Sequence, residues 1–102
     1  MKKATNTSTQ KNNDVRELQG ETVKIVIREW TDGKRTVEFA TLTICDEITV
    51  YNCVVRETKD GKRFLSLPQF KGSDGNYYNV VFIAKDSDTA KEIDELLNME
   101  TV

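Results

Sequence analysis

The sequence predicts an α+β domain, a mostly antiparallel five-stranded sheet followed by one C-terminal helix. Three observations carry that expectation. Segments rich in Val, Ile, Thr and aromatics, with apolar and polar residues alternating, recur between residues 22 and 83. Asp-Gly pairs at Asp32-Gly33, Asp60-Gly61 and Asp74-Gly75 punctuate them, which is hairpin chemistry. Near the C-terminus, Ala90, Ile93, Leu96 and Leu97 form one apolar stripe at helical spacing.

The elements follow in order. Thr22 to Trp30 reads as the first strand, with Val23, Ile25 and Ile27 on one face. Arg35 to Ile44 is the second, after the Asp32-Gly33 turn. A tight turn at Asp46-Glu47 leads into the third, Ile48 to Arg56, whose alternation puts Ile48, Val50, Asn52 and Val54 opposite Thr49, Tyr51, Cys53 and Val55. Lys62 to Leu67 is the fourth, closed by Pro68. Gln69 to Asn76 reads as a loop and Tyr77 to Ile83 as the fifth strand. Asp86-Ser87-Asp88-Thr89 supplies helix-capping residues, and acidic side chains crowd the first turns of the helix. The domain therefore spans residues 21–98. Residues 1–20, rich in Lys, Thr, Asn, Ser and Gln, are expected as a disordered polar tail, and 99–102 as a short C-terminal tail.

Composition narrows the chemistry. The chain has 102 residues, a formal charge of −2, two Cys and no His. Without His there is no Ser-His-Asp triad, no Cys-His pair and no His-ligated metal. Neither a phosphate-binding glycine loop nor any nucleophile motif occurs, so no enzyme activity, cofactor, metal or small-molecule substrate is expected. No apolar run reaches the roughly 20 residues of a membrane span. No signal peptide is visible at the start, and the chain is expected in the cytoplasm. Cys45 and Cys53 are eight apart, unlike a redox pair or a zinc site. They read as two small, buried or half-buried thiols in a reducing compartment, with a cross-hairpin disulfide as the alternative.

Charge is unevenly distributed. Residues 1–20 carry +2, residues 21–85 carry +1 and residues 86–102 carry −5. The acidity belongs to the C-terminal segment, which leaves the strands free to meet a polyanion. Two turns read Asp-Gly-Lys-Arg, at residues 32–35 and 60–63, placing Lys34, Arg35, Lys62 and Arg63 beside hairpin tips. They read as solvated turn chemistry that protects strand edges, or as phosphate contacts. Of eight aromatics, Trp30 and Phe70 border loops and are the candidates to lie outside the core. Phe70 is followed by Lys71, so a stacking group adjoins a cation in sequence.

The segment from Val23 to Leu97 resembles the sporulation stage V protein G (SpoVG) family, the septation regulators of bacteria. The resemblance is carried by Phe64-Leu-Ser-Leu-Pro68, five residues, then Asp74-Gly75-Asn-Tyr-Tyr-Asn-Val80. The Thr31-Asp32-Gly33 turn, the Thr-rich second strand and the terminal helix agree as well. It implies a homodimeric DNA- and RNA-binding regulator of gene expression, linked to sporulation, septation and virulence, without catalysis or cofactor. The departures fall on charge. The family's basic pair after the proline aligns with Phe70-Lys71, its basic first strand retains only Arg28, and its Asp-x-Arg aligns with Asn52 and Val54.

The expected nucleic-acid contacts are Lys71 and Phe70, then Lys62, Arg63 and Arg28, with Lys34 and Arg35 in support. A homodimer is expected on separate grounds. Both faces of the predicted sheet carry apolar residues, and one short helix covers part of one face. The rival readings are a protein-interaction module that docks through its acidic helix, and a single-stranded DNA-binding accessory protein of a mobile element.

Overall fold

A computed structural model describes residues 15–99 of the chain. Seven strands and one helix follow each other: β1 Val15–Gln19, β2 Val23–Asp32, β3 Arg35–Ile44, β4 Ile48–Glu57, β5 Arg63–Ser66, β6 Gln69–Lys71, β7 Tyr77–Asn79 and α1 Asp88–Met99. Strands β1 to β5 form one antiparallel sheet in sequence order, and β6 and β7 form a separate two-stranded ribbon. The expected α+β architecture of a five-stranded antiparallel sheet and a C-terminal helix is therefore observed.

The fifth strand of that sheet is not the expected one. Val15–Gln19, assigned from sequence to the polar tail, pairs with β2 over its whole length. Leu18 lies opposite Ile25 and packs against the core, while Arg16, opposite Ile27, forms an ion pair with Glu38. Two contacts of this kind anchor a segment whose composition is otherwise that of a solvated tail. The rest of the expected tail, residues 1–14, lies outside the described residues, as do residues 100–102.

Strand β4 departs from simple alternation. Ala40 pairs with Cys53 and Leu42 with Val50, so one residue of β3 faces two of β4. The extra residue is accommodated by a bulge at Asn52, whose φ of 64° is left-handed. Asparagine adopts that region more readily than most residues. The bulge turns Val50 and Cys53 to the same buried face, where strict alternation puts them on opposite faces. Burial raises the Cys53 thiol pKa to about 11, which keeps it a protonated, inert packing group. Cys45 lies not in a strand but in the β3–β4 turn. Both Cys45 and Asp46 have a φ of 56°, the pattern of a two-residue type I′ turn, and both thiols are free.

Helix α1 covers one face of the sheet. Ser87 caps it, its hydroxyl accepting from the Ala90 N–H at 3.1 Å. Ile93 and Leu97 are buried against Val23, Ile25, Ile27, Ala40, Leu42, Val50 and Cys53. The helix touches β5 at one edge of the sheet and β1 and β2 at the other. A helix is roughly 10 Å wide and five strands span roughly 19 Å, so the sheet must curl around the helix.

Two polar latches hold it there. Asn98 donates to the Arg63 carbonyl and accepts from the Arg63 N–H, both at 3.1 Å, so the helix end satisfies the outer edge of β5. Glu92 accepts from the N–H groups of Thr22 and Val23, both at 3.0 Å, and from the Thr22 hydroxyl at 2.9 Å. Gly20 leaves room for this carboxylate, because a Cβ there would lie 2.1 Å from Glu92 Oε2.

Desolvation raises the Glu92 pKa, but the hydrogen bonds from Thr22, Val23 and Glu21 outweigh it and hold the pKa below the usual 4.5. A depressed carboxylate pKa contributes stability that is fully present above the unfolded value and lost as pH falls through the folded one. The urea midpoint should therefore fall as pH drops below about 4.5. Glu92→Gln should lower stability at pH 7 by roughly 1–2 kcal/mol and flatten that acid limb. Equilibrium unfolding of both proteins from pH 3 to 7 checks this, with Gly20→Ala expected to mimic the loss.

Candidate nucleic-acid interface

With the helix on one face, the register fixes what the other face carries. Residues directly opposite in antiparallel strands share a face. Arg28 lies opposite Phe39, which in turn lies opposite Val54. Trp30 is opposite Val37, Val26 opposite Thr41, Lys24 opposite Thr43 and Arg56 opposite Phe64. Trp30 is 52% exposed and Phe39 46%. Along β1 the same face carries Val15, Glu17 and Gln19. Lys24, Arg28, Arg35 and Arg56 are thus on the helix-free face, where the acidic positions are Glu17 on β1 and Asp32, opposite Arg35 at the end of β2. None of the four cations takes part in an ion pair among the described residues.

The expected contact residues fall into three groups. Arg28 and Arg35 lie on the helix-free face, and Lys34 is exposed in the adjoining β2–β3 turn. Gly33 adopts a φ of 66° there, as a tight two-residue connection needs. Lys62 is exposed in the β4–β5 turn, whose backbone is tied by Thr58 and Asp60. The hydrogen bond from Thr58 holds the Asp60 pKa low.

Arg63 is adjacent in sequence but elsewhere in its contacts. Its guanidinium pairs with Glu38 at 2.7 Å and donates to the Leu97 carbonyl at 3.4 Å, and its side chain is 11% exposed. Glu38 pairs with Arg16 as well, so one carboxylate on β3 joins β1 and β5 across the helix-covered face. The position of Arg63 is that of a structural clamp.

Phe70 and Lys71 sit on the β6–β7 ribbon. Phe70 is opposite Tyr78 and Lys71 opposite Tyr77, so the two neighbours point to opposite faces. The phenyl ring of Phe70 packs on Tyr78 with centroids 5.6 Å apart. The Tyr78 hydroxyl donates to Asp74 at 2.5 Å and, with Asn76, keeps that carboxyl ionised below its usual range. Gly72 lies close under the Tyr78 ring, where a Cβ would come within 2.8 Å. The aromatic sharing a face with Lys71 is Tyr77, not Phe70.

The ribbon leads into Val80–Ile83, expected as strand yet unpaired beyond Asn79 apart from a bond from the Val80 N–H to the Pro68 carbonyl at 3.2 Å. Val80 and Phe82 are among the most exposed apolar residues described, Phe82 at 74%. A separate hollow of about 340 Å³ lies between β5 and the helix, walled by Leu65, Leu67, Ile83, Ile93, Lys85 and Asp94. None of the expected contact residues lines it. Among the described residues no cluster of Cys, Asp and Glu is placed to hold a metal ion, and no helix is long and apolar enough to cross a membrane.

Comparison with protein-family models, with curated proteins and with solved structures yields no match.

The Arg63 contacts give a distinct expectation. Arg63→Ala removes one of the two guanidinium partners of Glu38 and the donor to the Leu97 carbonyl, and should cost about 2–3 kcal/mol of folding stability. Lys62→Ala, one residue away and exposed, should change stability by less than about 0.5 kcal/mol. Parallel urea titrations of the two variants check the contrast.

Proposed function

We propose that this chain is a non-enzymatic nucleic-acid-binding regulator that acts as a homodimer in the bacterial cytoplasm. The observation that supports binding is the segregation of charge across the sheet. Lys24, Arg28, Arg35 and Arg56 share the helix-free face with Trp30 and Phe39, against two acidic positions, Glu17 and Asp32. Acidic residues of the last segment sit on the helix, on the opposite side. The net charge of −2 therefore does not describe the surface that would meet a polyanion. The resemblance to the SpoVG family supplies the regulatory and bacterial parts of the reading. Lys71, exposed beside Tyr77 on the ribbon, adds a cation outside the sheet.

The homodimer is supported by the ribbon and the segment after it. Phe70 and Tyr78, on the ribbon face away from Lys71, are exposed together with Val80 and Phe82, and a two-stranded ribbon is marginal on its own in water. A second copy laid against this surface would bury apolar area that the single chain leaves in solvent.

Fluorescence anisotropy with labelled DNA and RNA oligomers tests the first part. Affinity should fall steeply with salt, as expected when phosphates are neutralised. Lys71→Glu should weaken binding severalfold at low salt and reduce the salt slope. Failure to bind any polymer at tens of micromolar at low salt would discard the reading. Sedimentation at micromolar concentration tests the second part. A dimer is expected, with Phe82→Glu shifting the population to monomer.

A further inference from the structure

We infer that the helix-free face of the sheet is a platform for single-stranded nucleic acid. Trp30 and Phe39 stack the bases, and Lys24, Arg28 and Arg56 hold the phosphates. This rests on the nucleic-acid reading above and specifies the form of polymer that the face takes.

The placement of the two rings is the first argument. Arg28 lies directly opposite Phe39, and Trp30 is two residues along the same strand from Arg28. Trp30 and Phe39 are therefore diagonal neighbours, roughly 7–8 Å apart, with room for one base on each ring. Val37 stands opposite Trp30 and Val54 opposite Phe39, so each ring has an apolar neighbour across the strand and about half its surface in solvent. Each base stacked on an aromatic side chain contributes about 1–3 kcal/mol.

The second argument is charge complementarity. Arg28 is the register neighbour of both rings, across the strand from Phe39 and two residues from Trp30, and Lys24 and Arg56 lie farther out along β2 and β4. Stacking groups are interleaved with cations, the pattern of a surface that tracks a single strand. A second copy is a poorer occupant. Two such faces brought together would oppose like charges, whereas the ribbon and Phe82 offer an apolar surface for that purpose.

Duplex is disfavoured by shape. Five strands span roughly 19 Å, wider than the roughly 12 Å major groove of B-form DNA. The bases of a duplex are also stacked on each other and present no face to a side chain. The β6–β7 ribbon is narrow enough for a groove, but Lys71 is its one cationic side chain.

The test uses the full chain, because Trp30 is its only tryptophan and reports directly from this face. A dT oligomer of about 12 nucleotides, within the span that single-strand sites cover, and a duplex of equal length are titrated. Anisotropy and tryptophan emission are read together. Trp30 emission should be quenched in proportion to single-strand binding, and the duplex should bind more weakly. Trp30→Ala and Phe39→Ala should each weaken single-strand binding roughly tenfold, with Trp30→Phe retaining most of it. The wild-type quenching stands without any variant, should an alanine variant fold poorly.

Binding by anisotropy with unchanged Trp30 emission would overturn the platform and leave the nucleic-acid reading intact. Equal or tighter duplex binding would overturn the preference for single strands. A shift of Trp30 emission with protein concentration alone, with no response to oligomer, would assign the face to a second copy and overturn the inference. Absence of binding to every polymer would remove both readings.

Discussion

Ile93 and Leu97 pack onto Val23, Ile25, Ile27 and Leu42, and the remaining structure depends on this contact. Burying an aliphatic side chain of this size contributes roughly 1.5–3 kcal/mol. A domain this small has few such side chains, and the buried residues described are seven on the helix-covered face of the sheet, Ala40 and Cys53 included, and two on the helix. The polar latches serve the same contact from the rim. Glu92 ties the helix to the β1–β2 turn, Asn98 ties its end to β5, and Glu38 joins β1 to β5 through Arg16 and Arg63. With one helix, only one face can be used for stability. The other face is left uncovered by the helix, and Trp30 and Phe39 stand about half in solvent there.

The same constraint accounts for the ribbon. Tyr77 to Ile83 has the composition of a strand, and the free edge of β5 is the obvious place for it. At Arg63 that edge is taken, because its N–H and carbonyl are both bonded to the Asn98 side chain. The helix end occupies the start of that edge, and Tyr77–Asn79 pairs locally with Gln69–Lys71. The fifth place in the sheet goes to Val15–Gln19 at the opposite edge.

Much of the architecture was legible in the sequence. The four central strands, the turns at Gly33 and Gly61 and the helical stripe of Ile93 and Leu97 follow from local periodicity and turn chemistry. β1 was not legible, because Val15 and Leu18 are its only apolar residues and the core partner of Leu18, Ile25, lies beyond a turn. Nor was the bulge at Asn52, which leaves no mark in the local pattern of residues yet turns both Val50 and Cys53 toward the core. Among the site residues, adjacency misled twice. Lys62 and Arg63 look equivalent, but Arg63 is drawn into a pair with Glu38, 25 residues away. Phe70 and Lys71 look like one site, but strand pleating sends them to opposite faces.

The sequence alone determined the α+β class, the absence of His chemistry, the net negative charge of the last segment against the net positive charge of the rest, and the inventory of cations and aromatics. These are local or additive properties, and no fold is needed to read them. The tertiary structure decided which of those groups share a surface. Cross-strand register brought Arg28, Phe39 and Trp30 together, and burial took Arg63 away from them. Which face stays open depended on the single helix choosing the side of Val23, Ile25 and Ile27. Long-range pairing sets each of these outcomes, and a one-residue change of register or a bulge exchanges the faces without altering any local signal.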